Sequence, residues 1–153
     1  MKIQFVCCGN TFRSRLAEAY LKSKNISGIE VSSSGIRADR NLNGPVCDYT
    51  VRLLEADNLI QHLSKNWVVT DEKDLKNQDL VIFMDKIDYD FCHSELKCSV
   101  ANYEIWSISD VPDDVLAEIP KDDVKIMGLA RDRFELIKDK VDFLISHQIL
   151  IGG

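Results

Sequence analysis

Residues 2–24, KIQFVCCGNTFRSRLAEAYLKSK, run from a short apolar segment through a polar turn into a segment with helical spacing. Lys2 to Cys7 has the apolar content of a β-strand that is buried on both faces. In residues 14–24 the apolar side chains recur at helical intervals, which predicts an amphipathic helix with Glu18 and Lys22 on its exposed side. This stretch therefore predicts a strand, a tight turn and a helix in succession.

Strand-like and helix-like segments alternate along the rest of the chain, which is typical of a parallel sheet covered by helices. The 153 residues contain no low-complexity linker and no internal repeat, so we expect one domain, residues 1–153. The predicted fold is an α/β, three-layer, doubly wound domain with a four-stranded parallel sheet. The further predicted strands are 29–33, 79–84 and 103–107, and the further predicted helices are 45–56, 86–96 and 126–147.

The composition excludes several classes of protein. The formal net charge of −6 disfavours broad electrostatic binding to nucleic acid or to anionic lipid. The apolar runs are too short to span a bilayer, and the beginning of the chain does not resemble a signal segment. The five cysteines are irregularly spaced, which favours free thiols in a reducing compartment. We therefore expect a cytoplasmic protein without nucleic-acid or membrane partners, whose oligomeric state is left open.

The turn after the first strand is the expected functional site, because ligands of open α/β sheets bind beyond the carboxyl ends of the strands. Its backbone N–H groups and the following helix N-terminus form an anion site, to which Arg13 adds a planar fork of donors. Positive potential there lowers the pKa of Cys7, whose thiolate can attack a phosphate ester. The spacing Cys-x5-Arg is weak by itself, but its place between strand and helix, with Gly9 and Asn10 inside it, favours a catalytic cysteine over a structural one.

The sequence of residues 7–21, CCGNTFRSRLAEAYL, resembles the phosphate-binding loop and first helix of the low-molecular-weight protein tyrosine phosphatases, whose usual form is V-C-x-G-N-x-C-R-S-P-x-A-E. Weaker similarity continues along the chain: 31–35 resembles the second strand, 62–64 the H-x-[AS] segment, 79–85 the third strand, and 109–114 the loop of the general acid. The resemblance implies hydrolysis of phosphotyrosine in proteins, a phosphocysteine intermediate, and no metal or other cofactor. A tyrosine kinase is one candidate phosphoprotein partner.

The resemblance also implies roles for the loop residues. Cys7 would be the nucleophile, Arg13 would hold the phosphate, and Ser14 would donate a hydrogen bond to the thiolate. The phosphate-binding residues would be Cys8, Gly9, Asn10, Thr11, Phe12 and Arg13.

Support for this loop is expected from Asn10 inside it and from Ser33 and His62 in neighbouring segments. The alternatives are that Asn10 is a simple turn residue, that Ser33 is a solvent-facing strand serine, and that His62 is a loop histidine whose hydrogen bonds are satisfied elsewhere.

The general acid is sought in the acidic segment 108–125. A phenol leaves poorly unless it is protonated, since its pKa is about 10. Aligning Val-Pro-Asp-Asp with the family's I-P-D-P selects Asp113 as the acid that protonates the leaving group and then activates water. Asp110 is the competing candidate, and Asp114 stands where the family has proline.

The chain departs from the family pattern at the pocket entrance. Phe12 replaces the second loop cysteine, and Arg15 stands where proline is common, which predicts a more basic entrance. Asp114, Val115 and Leu42 occupy positions near which the family carries aromatic residues. The substrate is therefore less determined than the type of reaction.

Three alternative interpretations come from other features of the sequence. A thioredoxin-coupled arsenate reductase would pass a disulfide from Cys7 to Cys92 and Cys98, but their spacing is six rather than the usual seven, and His93 replaces the expected proline. A zinc site at Cys92, His93 and Cys98 lacks a fourth ligand. A catalytically inactive anion-binding or interaction module is disfavoured, because nucleophile, arginine, serine and acid are all present.

Overall fold

The computed structural model describes residues 1–40 and 43–151, and a parallel sheet of four strands in the order β2-β1-β3-β4 lies at its centre. β1 pairs in parallel with both β2 and β3, so the chain leaves β1 first to one side and later to the other. This confirms the predicted doubly wound α/β fold. The strands are β1 (Lys2–Cys7), β2 (Glu30–Gly35), β3 (Leu80–Phe83) and β4 (Tyr103–Ile105).

Helices connect the strands, with bounds close to those predicted. The predicted loop 108–125 contains one short helix, and the last helix begins earlier than predicted because the Asp122 side chain caps it by accepting a hydrogen bond from the Lys125 N–H. The helices are α1 (Arg13–Ser23), α2 (Asp48–Ala56), α3 (Glu72–Lys76), α4 (Lys86–Ser94), α5 (Asp113–Leu116) and α6 (Asp123–Leu144), with 3₁₀ turns at Ala38–Arg40 and Ile60–His62 and a π-helical turn at Ile145–Ile149.

The side chains of the central strands alternate between two apolar layers. Ile3 and Phe5 of β1 belong to the larger layer, which α1 and α6 cover, whereas Val6 belongs to the smaller layer on the opposite face. Full burial of each such side chain is worth about 1.5–3 kcal/mol, so both faces hold β1 in place. In the two described ranges, no helix is both long and apolar enough to cross a bilayer.

The end of β2 lies against the turn that follows β1. Gly35 pairs with Cys7, and a Cβ atom placed on it would lie 2.6 Å from the backbone nitrogen of Asn10 and 2.7 Å from the carbonyl oxygen of Cys8. Real Cβ atoms do not approach backbone that closely, so only glycine permits this contact. Gly35 therefore sets the position of the turn that carries the predicted site.

Gly35→Ala is expected to lower the free energy of unfolding by about 1–3 kcal/mol, because the turn has to move away from β2. Gly128→Ala is the matched control. Gly128 lies within α6, away from both helix ends, and a Cβ atom added there meets no atom within 4 Å. The control should be neutral or stabilising by up to about 1 kcal/mol. Urea unfolding of both variants measures the difference, and equal midpoints would contradict the close approach.

Candidate active site

The turn between β1 and α1 has its carbonyl oxygens bonded to neighbouring segments. Outward bonding of the carbonyls leaves amide N–H groups on the inner side of the turn, as the Asn10 N–H shows by donating to the Cys7 Sγ at 3.2 Å. Asn10 has a φ of 55°, a left-handed conformation that asparagine tolerates. The bonded carbonyls are Cys8 O with Arg37 N (2.8 Å), Asn10 O with Arg15 Nη1 (3.1 Å) and Thr11 O with Thr50 Oγ1 (2.7 Å).

A directed chain of hydrogen bonds reaches the sulfur of Cys7. The Glu18 carboxylate can only accept, so the Ser33 hydroxyl donates to it and accepts from the Asn10 Nδ2 at 2.9 Å. The same Nδ2 donates to the Ser14 Oγ at 2.8 Å. The Ser14 hydroxyl therefore has its own proton available for donation to the Cys7 Sγ, 2.9 Å away. The chain prepares Sγ to accept, which is the role of a thiolate.

The Asn10 amide is oriented by a backbone group rather than by His62. The Val68 N–H donates to the Asn10 Oδ1 at 2.9 Å, which requires the amide nitrogen to face the serines. Ser33 thus contacts Asn10 as predicted. His62 is half-buried in the 3₁₀ turn Ile60–His62, and no bond between it and Asn10 occurs in the described structure. The predicted contact of His62 is therefore replaced by the Val68 backbone.

Burial dominates the electrostatics of Cys7. It raises the pKa of the Cys7 thiol above its ordinary value, whereas the Arg13 charge and the Ser14 hydroxyl act in the opposite direction. The Asp88 charge raises this pKa further. The predicted lowering of this pKa is therefore wrong for the unliganded loop, because Cys7 is 2% exposed and its thiolate would lose most of its hydration.

Arg13 lies beside this sulfur and is itself buried. Its Nη1 donates to the carbonyl oxygen of Ile108 at 2.9 Å, and its Nη2 lies 3.3 Å from the Asp110 carboxylate. Its buried Nε has no partner in the described part of the protein. Burial lowers the pKa of Arg13, but the negative charges at Cys7 and Asp110 outweigh this effect and raise it overall. A permanently charged guanidinium with an unused donor suits an anionic ligand.

Two charged residues of α1 differ from the sequence prediction. Glu18, expected on the exposed side, is 4% exposed; it lies 2.6 Å from the Lys22 Nζ and also accepts from the Ser64 hydroxyl at 3.0 Å. Arg15 is fully buried and donates to the carbonyl oxygens of Asn10, Pro45 and Ser64. The prediction that Arg15 makes the entrance more basic is therefore wrong. The alanines Ala17 and Ala19 of α1 were a sequence signal for this burial, because small side chains allow neighbouring segments to approach a helix closely.

The turn opens into a cavity of about 430 Å³ in which acidic groups outnumber basic ones. None of the described residues that line it is aromatic. Leu42, expected near the entrance, lies outside the described residues. The charged lining residues are Arg13, Arg37, Asp85, Asp88, Asp110 and Asp113.

Both candidates for the general acid line this cavity. Asp110 forms the ion pair with Arg13 and its side chain is 56% exposed. Asp113 is exposed at the start of α5, directly after Pro112, and its side chain makes no hydrogen bond within residues 1–40 and 43–151. The geometry therefore leaves Asp113 free to meet a substrate, while Asp110 is engaged.

The two cysteines of the alternative disulfide relay do not line the cavity. Cys92 and Cys98 are 1% and 2% exposed and pack in the smaller apolar layer. Burial raises the pKa of Cys92 to about 12, so its thiolate is scarce at neutral pH. Within the described residues, no group of three or more His, Cys, Asp or Glu side chains is arranged to hold a metal ion. This placement favours core cysteines over members of a relay.

Comparison with known proteins agrees with this geometry. Residues 2–120 match the model of the family described as low molecular weight phosphotyrosine protein phosphatase, and the chain belongs to this phosphatase family. It is similar in fold to a low molecular weight protein tyrosine phosphatase from Streptococcus pyogenes, with a TM-score of 0.75, 19% identity, and coverage of 96% of this chain and 92% of that one. A Drosophila arginine phosphatase has a TM-score of 0.71 and 20% identity, with 96% and 97% covered.

One curated relative is more similar over a short segment. A protein-arginine-phosphatase from Geobacillus stearothermophilus is 51% identical over 37 residues, which is 24% of this chain and 25% of the relative. The matched segment thus spans about a quarter of that relative's length.

Glu18→Gln is expected to lower the free energy of unfolding by about 1–3 kcal/mol, because two hydroxyls and Lys22 lose an ionised acceptor. It should also slow iodoacetate alkylation of Cys7. Without the Glu18 carboxylate the Ser33 hydroxyl is no longer held as a donor, so the hydrogen bonds that lead to the Cys7 sulfur are less well oriented. Glu55→Gln, at an exposed position of α2, is the control. Urea unfolding and alkylation rates test both variants. Identical behaviour of the two would show that Glu18 does not organise the loop.

Proposed function

We propose that the protein is a phosphatase that removes phosphate from phosphoarginine in proteins, through a phosphocysteine intermediate on Cys7. The observation that carries the substrate class is the excess of carboxylates in the cavity; aromatic side chains, Phe12 and Tyr49, line only an adjoining pocket that shares Asp110 and Asp113 with it. A phosphoarginine side chain combines an anionic phosphoryl group with a cationic guanidinium. Arg13 and the loop N–H groups suit the first, while the carboxylates of Asp110 and Asp85 suit the second. The name of the Geobacillus relative supports the same class.

The first step is attack of the Cys7 thiolate on phosphorus. The S–P bond forms as the P–N bond breaks, and the bonding electron pair stays on the guanidine nitrogen. That nitrogen takes a proton from Asp113, the proposed general acid. Arg13 and the backbone N–H groups of residues 8–13 neutralise the charge on the transferring phosphoryl oxygens.

The second step hydrolyses the phosphocysteine. Asp113, now ionised, accepts a proton from the attacking water, whose oxygen forms the new bond to phosphorus. The S–P bond breaks and its electron pair returns to the Cys7 sulfur, which the Ser14 hydroxyl stabilises as a thiolate from 2.9 Å. Inorganic phosphate is the product, and no other reactant is needed.

Phosphotyrosine in proteins is the second candidate substrate. The family's description favours it, and Ile87, which lines the cavity and is 71% exposed, offers an apolar surface to a phenyl ring. The chemistry at Cys7 and Arg13 would be the same, with a phenol as the leaving group.

Paired peptides with one flanking sequence separate the two substrates. We expect kcat/KM for the phosphoarginine peptide to exceed that for the phosphotyrosine peptide by about tenfold or more, equivalent to about 1.4 kcal/mol in transition-state stabilisation. Release of inorganic phosphate measures both rates. Cys7→Ser should abolish turnover of both peptides, because a serine hydroxyl stays protonated at neutral pH. Preference for phosphotyrosine would reverse the substrate assignment and leave the nucleophile unchanged.

Asp113→Asn is expected to lower kcat by about 10²–10⁴, the usual contribution of a positioned acid. Asp110→Asn should instead raise KM, since it removes a carboxylate at the entrance and releases Arg13 from its ion pair. Steady-state kinetics on the preferred peptide distinguish the two effects. A large loss of kcat in Asp110→Asn, with Asp113→Asn nearly normal, would transfer the role of acid to Asp110.

A further inference from the structure

Asp88 is a buried acid in the first turn of α4 that the proposed chemistry does not use. It is 2% exposed, lines the same cavity as Arg13, and its buried Oδ2 has no partner in the described part of the chain. Buried polar atoms normally have hydrogen-bond partners, so an unpartnered carboxyl oxygen beside a ligand cavity calls for a physical reason.

The charges around the loop are unbalanced when every acid is ionised. A bound phosphate dianion, the Cys7 thiolate and an ionised Asp88 would all lie near one buried guanidinium, that of Arg13. Arg15 also senses the Cys7 charge, but carbonyl oxygens and Glu18 engage its guanidinium, so little of its charge is available to a ligand. Arg37 stands at the cavity wall and is only half-buried. A neutral Asp88 removes one of these four negative charges.

Hydrogen bonding leads to the same conclusion. A phosphate or sulfate dianion presents only acceptor oxygens, and an ionised carboxylate is also an acceptor only. Asp88 can therefore face such a ligand favourably only as a carboxylic acid, whose O–H donates. The unpartnered Nε of Arg13 is a second unused donor at the same cavity.

We propose that Asp88 is a positioning residue of the phosphate loop that has to carry a proton whenever a dianion occupies the loop. Dianion binding above neutral pH then takes up one proton from solution. The inference requires only that the loop binds phosphate groups, whichever amino acid carries them.

The titration of Asp88 suits this role. Burial raises its pKa to about 7, against the opposing effect of Arg13, while the carboxylates of Asp85 and Asp110 add to the rise. The thiols that face it are Cys7 and Cys8 at the loop and Cys92 on α4, and its negative charge raises the pKa of each. Protonation of Asp88 thus makes the Cys7 thiolate easier to form as well.

Sulfate binding to the Cys7→Ser protein tests the proposal without turnover and without titration of the thiol. Sulfate remains a dianion throughout, so its own charge does not change with pH. At a pH above the pKa of Asp88 its carboxyl group is mostly ionised, so part of the free energy of sulfate binding is used to protonate it. The Kd for sulfate should therefore rise by up to about 30-fold between about pH 6 and about pH 8.5 if binding requires the proton completely.

The comparison is between Cys7→Ser and Cys7→Ser/Asp88→Asn. The asparagine is neutral at every pH, so the rise in Kd should disappear in the double variant. Cys7→Ser/Asp85→Asn is the matched control, because Asp85 lines the same cavity and asparagine retains its helix-capping ability. This control should bind sulfate more tightly at every pH while the slope with pH persists.

Calorimetry in buffers of different ionisation enthalpy gives a second readout that a merely structural role would not move. At about pH 8, sulfate binding to Cys7→Ser should take up close to one proton, and this uptake does not depend on whether the asparagine variant folds. A Kd that does not change with pH, or an equal slope in the Asp88→Asn variant, would overturn the proposal alone. Absence of sulfate binding at every pH would overturn it together with the phosphate site on which the proposed function rests.

Discussion

The Glu18 carboxylate, buried at the side of α1, determines the direction of the hydrogen bonds that reach Cys7. A carboxylate accepts and cannot donate, so the Ser33 hydroxyl donates to it, and the Val68 N–H holds the Asn10 amide with its nitrogen towards Ser33 and Ser14. The proton of Ser14 is consequently available to the sulfur. A catalytic thiolate buried in a protein needs such oriented donors, because burial alone disfavours its charge.

The same loop is held in place by contacts made from outside. Gly35 allows β2 to contact the loop. The Arg15 guanidinium donates to the carbonyl oxygen of Asn10 in the loop and to those of Pro45 and Ser64 in other segments. These contacts turn the carbonyl groups outward and leave N–H groups facing the cavity. The neighbours thus fix the backbone of the loop in a form that suits an anion, with Arg13 adding a charged donor.

Acidic groups give the cavity its particular character. The sequence departs from the family at positions near which aromatic residues are usual, and the described lining of the cavity is rich in aspartate, with Phe12 and Tyr49 only in an adjoining pocket. Asp110 and Asp113 belong to the entrance, whereas Asp88 is buried beside the loop, where water cannot stabilise its charge. Exposure thus separates the acids that can meet a substrate at the entrance from Asp88, which packing keeps away from water.

Local signals in the sequence predicted much of the fold and the centre of the site. The apolar run of β1, the turn with Gly9 and Asn10, and the helical spacing after Arg13 depend on residues adjacent in the chain, so strand, turn and helix were recognisable. The positions of Cys7, Arg13 and Ser14 followed from this order. Helix ends were less exact, because caps such as Asp122 act through single hydrogen bonds.

Only the tertiary structure decided the environments of Glu18, Arg15 and Asp88. From the sequence alone, Glu18 was expected on a solvated helix face and Arg15 at the entrance of the pocket. Asp88 had the pattern of an ordinary acid in the first turn of a helix. Their partners or neighbours come from segments far away in the chain, such as Ser64, Pro45 and the phosphate loop. Burial, and with it the charge and hydrogen bonding of an ionisable group, is a property of the packed molecule. The sequence by itself determined where the phosphate loop lies, and the packing of distant segments determined the hydrogen bonds and charges around its sulfur.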